Sequence, residues 1–300
     1  MTLTATAAAN TEEPRLKTVQ CLDAQGLHRM AYWEWGDPAN PRVVVCVHGL
    51  SRQGRDFDTL ARDLCDEYRV VCPDVAGRGR SDWLADPMGY AVPGYVADMV
   101  TLLARLDAEQ VDWVGTSMGG LIGLSLASLP GAAIRRLVLN DVGPAIQWAA
   151  IERIGMYLGQ PVRWASVDEA ADAMWAVSQG FGPHTREQWL ALSRPQLVPV
   201  EEGAGFRPHY DPAIAVPFRA LTPEMAAAGE AMLWQAWDRI KAEVLLLRGA
   251  QSDLLSAETA QRMTQRGPRT RLVNFEGVCH APTLVAADQR QAVVDFLRSP

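Results

Sequence analysis

Between Leu27 and about Pro144, short and continuously apolar runs alternate with longer stretches in which apolar residues recur at three- and four-residue spacing. The runs are VVVCV from Val43, YRVVCP from Tyr68, VDWVG from Val111 and RRLVLN ending at Asn140; between them lie FDTLARDLCDE, YVADMVTLLARLD and MGGLIGLSLASL. Strands without a polar face must be covered on both sides, and helices between successive strands supply that cover. The pattern predicts an α/β fold: a mostly parallel central sheet with helices on both faces.

After Asn140 the strand signal stops for about a hundred residues and returns at EVLLLRGA from Glu243 and TRLVNFEG from Thr270, before a closing helical pattern near Ala287–Leu297. Residues 15–144 and 239–300 therefore make up one core, interrupted by a helical insertion over 145–238. That insertion carries Trp148, Trp164, Trp175, Trp189, Trp234 and Trp237, six of the ten tryptophans, and a Pro/Gly-rich loop from Pro199 to Pro217. Packing within a small bundle accounts for most of these rings, while Trp148 and Trp234 are candidates to line a substrate pocket. Residues 1–14, rich in Thr, Ala and Glu, read as a flexible tail without the basic start and apolar stretch of a signal peptide.

Composition narrows the classes. A net charge of -7 gives no cationic face for nucleic acid. No apolar run reaches the ~18 residues that suggest a membrane span. The five cysteines, Cys21, Cys46, Cys65, Cys72 and Cys279, stand singly with no CxxC pair. They suggest neither a disulfide framework nor a metal site and fit reduced thiols in the cytoplasm. A homo-oligomer is compatible with all of this.

The chemistry concentrates at strand ends. Gly115-Thr116-Ser117-Met118-Gly119 lies between an apolar strand and an amphipathic helix. A bare GxSxG is weak, but in that context small neighbours two positions either side allow a serine to stand exposed on a sharp turn, at the favourable end of a helix dipole. Ser117 is the expected nucleophile. Upstream, His48-Gly49-Leu50 ends a strand, and the Leu50 and Met118 N–H groups are the expected oxyanion donors. His48 itself reads as a residue that shapes its loop. Asp74, among glycines in PDVAGRGRSD, reads as a turn former. His280, directly after the last predicted strand, is the expected base. His28, His184 and His209 read as surface or core residues, and Cys279 as a packed side chain. Two carboxylates follow strands within reach of the imidazole, Asp253 and Asp141. Asp253 is favoured because its strand immediately precedes the one ending at His280, whereas Asp141 is trailed by Gly143-Pro144 and suits a hinge into the insertion.

Together HGLSRQGRDF, PDVAGRGRSD, GTSMGG, LNDVGP, GAQSD and GVCHAPT resemble the α/β-hydrolase superfamily, in particular its small bacterial esterase, enol-lactonase and C–C-bond hydrolase members. The resemblance runs from about Leu27 over nearly the whole chain. It implies that residues 145–238 form a cap, that Ser117, Asp253 and His280 form a triad in the Ser–acid–His order of that fold, and that Leu50 and Met118 bind the oxyanion; some relatives carry the acid at the position of Asp141. A serine at the elbow departs from the dehalogenases and epoxide hydrolases, which carry aspartate there. The expected activity is hydrolysis of an apolar carboxylic ester or lactone without metal or organic cofactor, with Arg52 or Arg153 available for a substrate carboxylate. Cleavage of a C–C bond, acyl transfer or perhydrolysis would use the same site, and a slow-turnover ligand sensor is the alternative of another class.

Overall fold

A computed structural model describes residues 13–200 and 205–299. Eight strands form one sheet: β1 (Arg15–Asp23), β2 (Gly26–Trp35), β3 (Val43–Val47), β4 (Arg69–Pro73), β5 (Val111–Thr116), β6 (Ile134–Asn140), β9 (Glu243–Gly249) and β10 (Thr270–Phe275), in the order β1-β2-β4-β3-β5-β6-β9-β10. From β4 to β10 neighbours run parallel, and β1 and β2 add an antiparallel edge. The sequence pattern missed this edge hairpin because one side faces solvent, with Leu16, Leu22 and Leu27 exposed. Its turn is closed by the Asp23 carboxylate, which accepts from the Gln25 and Gly26 N–H groups.

The continuous apolar runs divide by alternation between two cores. Val43, Val45 and Val47 face one with Leu137, Leu139 and Leu246, under α2 (Val92–Leu106) and α3 (Met118–Ala127). Val44 and Cys46 face the other with Val138, Leu245 and Leu247, under α1 (Asp58–Leu64) and α10 (Ala287–Arg298). Helix α9 (Ala257–Gln265), which the pattern did not single out, joins β9 to β10.

Between β6 and β9 the chain leaves the sheet as α4 (Trp148–Tyr157), α5 (Val167–Ser178), α6 (Arg186–Ser193), α7 (Ala215–Arg219) and α8 (Pro223–Arg239), with a two-stranded ribbon of β7 (Leu197–Pro199) and β8 (Phe206–Pro208) inside the loop. The ribbon lacks an apolar run of strand length, so no hydrophobic pattern marks it. The tail expected over 1–14 lies, apart from residues 13 and 14, outside the described residues. No helix among the described residues is long and apolar enough to cross a membrane.

Candidate active site

Strands β3, β5 and β6 end on one edge of the sheet, where open α/β folds place their ligands. Ser117 follows β5 directly, with φ 52° and ψ -116°, a conformation that costs a non-glycine residue about 1–3 kcal/mol. The flanking glycines make it feasible. A Cβ on Gly115 would lie 2.3 Å from the Gly119 carbonyl oxygen, and one on Gly119 would lie 2.0 Å from that of Val47. The serine is held by its own N–H, which donates to the Asn140 carbonyl at 3.0 Å, and by Trp113, whose indole N–H donates to Gly119 at 3.1 Å.

His280 reaches this serine from the far side of β9. Its Nδ1 lies 2.7 Å from an Asp141 carboxylate oxygen and its Nε2 lies 3.0 Å from Ser117 Oγ. A carboxylate only accepts, so Nδ1 carries the proton and Nε2 is free to accept from the serine hydroxyl. Asp141 is fully buried at the end of β6, and its carboxylate also accepts from the Gly249 N–H at 2.9 Å and the Ser252 hydroxyl at 2.6 Å.

The expectation that Asp253 orients His280 is thereby corrected. The Asp253 carboxylate is half exposed and is gripped by the Arg153 guanidinium at 2.8 and 3.1 Å. Strand order alone misleads because the segment after β10 does not stay above β10. It crosses the end of β9 at Gly249, where a Cβ would lie 2.1 Å from the Cys279 carbonyl oxygen and 2.6 Å from that of Val278. That crossing carries His280 past β9 to β6. Asn140 secures it by donating to the Pro282 carbonyl at 2.7 Å and to Thr116 Oγ1 at 3.0 Å. Asn140, Gly249 and Ser252 were not singled out from the sequence; a glycine closing an otherwise bulky strand was the one available signal.

The loop after β3 lies against the serine, since a Cβ on Gly49 would be 3.8 Å from Ser117 Cβ. Neither the Leu50 nor the Met118 N–H has an acceptor among the described residues. His48 is fully buried; its Nδ1 donates to the Gly49 carbonyl at 2.7 Å and its Nε2 accepts from the Val75 N–H at 2.9 Å. Burial, reinforced by the Arg78 and Arg52 charges, pushes its pKa down to about 3 against the Gly49 hydrogen bond, so it stays neutral. Asp74, also buried, accepts from the Gly54 and Arg80 N–H groups at 2.8 and 2.9 Å; burial raises its carboxyl to about 6.

The insertion touches the core around the site. His184 bonds Thr283 at 2.8 Å, the Cys279 N–H donates to Gly180 at 2.5 Å and Gln196 donates to Asp56 at 2.8 Å. Phe181 and Leu192 close a small cavity of about 50 Å³ against His48, Arg52, Thr116 and Pro282. Trp148 and Trp234, the residues expected to line a pocket, are not among those that line this cavity. Trp234 is buried in α8, beneath the guanidinium groups of Arg262 and Arg266 at 4.3 and 4.8 Å, and half-buried Trp148 opens α4. Of the two arginines considered for a substrate carboxylate, Arg52 lines the cavity but is paired with Asp56 at 2.7 Å, and Arg153 is occupied by Asp253. Away from the site, Cys21, His28 and Asp98 bring ligand atoms within 4.8 Å of one another, but they engage each other through a His28–Asp98 contact of 3.1 Å and the Cys21 thiol on the Asp98 carbonyl.

The family model described as the alpha/beta hydrolase family matches residues 44–296. The chain belongs to this family. Among its relatives, this alpha/beta hydrolase is 59% identical over 274 residues to the 3-hydroxybutyrate-oligomer hydrolase of Cupriavidus necator, covering 91% of this chain and 94% of that one. It is 28% identical to the 2-hydroxy-6-oxo-2,4-heptadienoate hydrolase of Pseudomonas putida, over 74% and 76% of the two chains. A crystal structure of an alpha/beta hydrolase from Novosphingobium aromaticivorans superposes with a TM-score of 0.84 at 34% identity, over 96% of this chain and 99% of that one.

Proposed function

We propose that this alpha/beta hydrolase is a serine esterase that cleaves short 3-hydroxybutyrate esters through an acyl-enzyme on Ser117. The observation that carries the reading is the unbroken hydrogen-bonded line from Ser117 Oγ through His280 to buried Asp141. The extensive identity with a 3-hydroxybutyrate-oligomer hydrolase supports the substrate class.

In this reading Ser117 attacks the ester carbonyl as His280 Nε2 takes its proton. Asp141 keeps the imidazole in the required tautomer and stabilises the imidazolium that forms. The Leu50 and Met118 N–H groups receive the oxyanion, and a donor of this kind is worth about 3–4 kcal/mol. His280 then protonates the departing alkoxide oxygen, which leaves as the alcohol, and water, activated by the same imidazole, releases the acid and restores the serine. Residues 145–238 act as the cap, with Phe181 and Leu192 touching the acyl or alcohol portion.

The test is turnover of 3-hydroxybutyrate dimer and trimer, followed by chromatography of the released monomer, beside short p-nitrophenyl esters, lactones and a vinylogous 1,5-diketone as C–C substrate. The expected result is multiple turnover of the oligomers, abolished in a folded Ser117→Ala variant, with fluorophosphonate label mapping to Ser117. Faster cleavage of the diketone than of any ester would move the assignment to C–C hydrolysis. A single burst with retained product would instead favour a ligand sensor.

A further inference from the structure

Arg78 is wholly buried, and every hydrogen-bond partner of its guanidinium among the described residues is neutral. A buried cation without a carboxylate is costly, and Arg78 is held by oxygens, a sulfur and aromatic rings instead. Its Nε donates to the Leu50 carbonyl at 2.8 Å and its Nη2 lies 3.7 Å from Met118 Sδ. One planar group thus bridges the two residues whose amides lack an acceptor among the described residues. Nη1 is fixed on the core side: it donates to the Ala76 carbonyl at 2.7 Å and to the Tyr95 hydroxyl at 2.8 Å, and the Tyr95 and Tyr90 rings lie 5.1 and 5.6 Å from the guanidinium carbon. The backbone that delivers it is equally constrained. Arg78 stands between Gly77 (φ 83°) and Gly79 (φ 54°), and a Cβ on these would strike the Tyr90 ring at 2.6 Å and the Asp74 carboxylate at 2.3 Å.

We propose that Arg78 is a positioning residue for the oxyanion site: its fork locks the Leu50 loop to Met118, and its charge is balanced when negative charge forms on the substrate oxygen. The inference rests on the serine-esterase reading. A donor fixed before reaction stabilises the transition state without reorganisation, whereas substrate binding makes little use of it. Loss of the fork should therefore appear in kcat and leave KM nearly unchanged.

The experiment compares wild type, Arg78→Lys, Arg78→Gln and Tyr95→Phe for ester turnover and for the second-order rate of fluorophosphonate labelling at Ser117, a reaction that also builds charge on an oxygen. Melting and circular dichroism report folding. Misplaced or missing oxyanion donors cost on the order of 10²-fold or more; Arg78→Gln should accordingly lose about 10- to 100-fold in both kcat and labelling rate, with KM within about 3-fold. Arg78→Lys, which keeps the charge but not the fork, should fall between it and wild type. Tyr95→Phe removes one anchor and should lose about 3-fold in kcat at constant KM, which decides the matter if Arg78→Gln does not fold. Wild-type kcat and labelling in folded Arg78→Gln, or in Tyr95→Phe when that variant alone folds, overturns the inference while leaving the esterase reading intact. A change confined to KM also overturns it. Wild type that is not labelled at Ser117 overturns the esterase reading and the inference with it.

Discussion

Asp141 and Asp253 both stand just past a strand, and what separates them is what each carboxylate touches. Asp141 is buried with three donors converging on it, including His280, while Asp253 spends its charge on Arg153 at the surface. Asp141→Asn should lower kcat by about 10⁴ without unfolding the protein, because the amide cannot hold the imidazole in the same tautomer. Asp253→Asn loses an exposed ion pair worth about 0–1 kcal/mol and should keep kcat within about 3-fold. Steady-state kinetics on both variants, with circular dichroism alongside, checks the contrast, and a dead Asp253→Asn enzyme beside an active Asp141→Asn enzyme refutes it. His48 gives a prediction in pH. Its folded pKa of about 3 lies below the ordinary 6.5, so between these values the unfolded chain binds a proton that the folded chain refuses. The His48 contribution is complete above pH 6.5 and is lost as pH falls toward 3, by up to about 1.4 kcal/mol per pH unit. Asp74 acts with the opposite sign from 3.8 to about 6, its raised folded pKa favouring the acidic side. Comparison with His48→Gln, which retains one donor and one acceptor, isolates the histidine. In urea melts the stability advantage of wild type over the variant should shrink on acidification from pH 6.5, and a gap independent of pH would rule the account out.

The same contrast shows what an element can and cannot announce. The strand-turn-helix around Ser117 was legible because its requirements are local: an apolar strand, glycines two positions either side of the serine, and a helix directly after it, which proves to be buried on nearly every side rather than amphipathic. The path from β10 to His280 was not legible, because the route is set by a crossing over β9 some thirty residues away in sequence. Gly249 is the element-scale hinge of that arrangement. In Gly249→Ala the added methyl meets the Cys279 and Val278 carbonyls at 2.1 and 2.6 Å, so the His280 segment must rise from the sheet. A displacement near 1 Å costs on the order of 10²-fold in rate. The variant should therefore show a kcat loss of that size with its far-ultraviolet circular dichroism preserved, and near-normal turnover would show that the segment absorbs the methyl elsewhere. The edge hairpin β1–β2 and the ribbon β7–β8 were missed for a related reason: their half-exposed or three-residue strands carry too little apolar pattern to stand out.

Across the whole molecule, the insertion meets the sheet edge through Phe181 and Leu192 at the cavity and through His184, Gly180 and Gln196 around it. Phe181→Ala and Leu192→Ala should change the ranking of esters by kcat/KM, about 10-fold for acyl groups that fill the space, whereas Trp148→Ala should leave the ranking unaltered. A panel of esters graded in acyl size measures this, and an unchanged ranking in all three variants would remove those two residues from substrate selection. The sequence alone determined the α/β architecture, the serine on its turn and the histidine after the last strand, since each rests on periodicity or on contacts between near neighbours. Tertiary structure alone decided which carboxylate completes the line, which side chains of the insertion meet the site and where a lone guanidinium is buried. Those depend on how loops distant in sequence cross at one sheet edge, and strand order constrains neighbouring strands far more tightly than it constrains the loops that leave them.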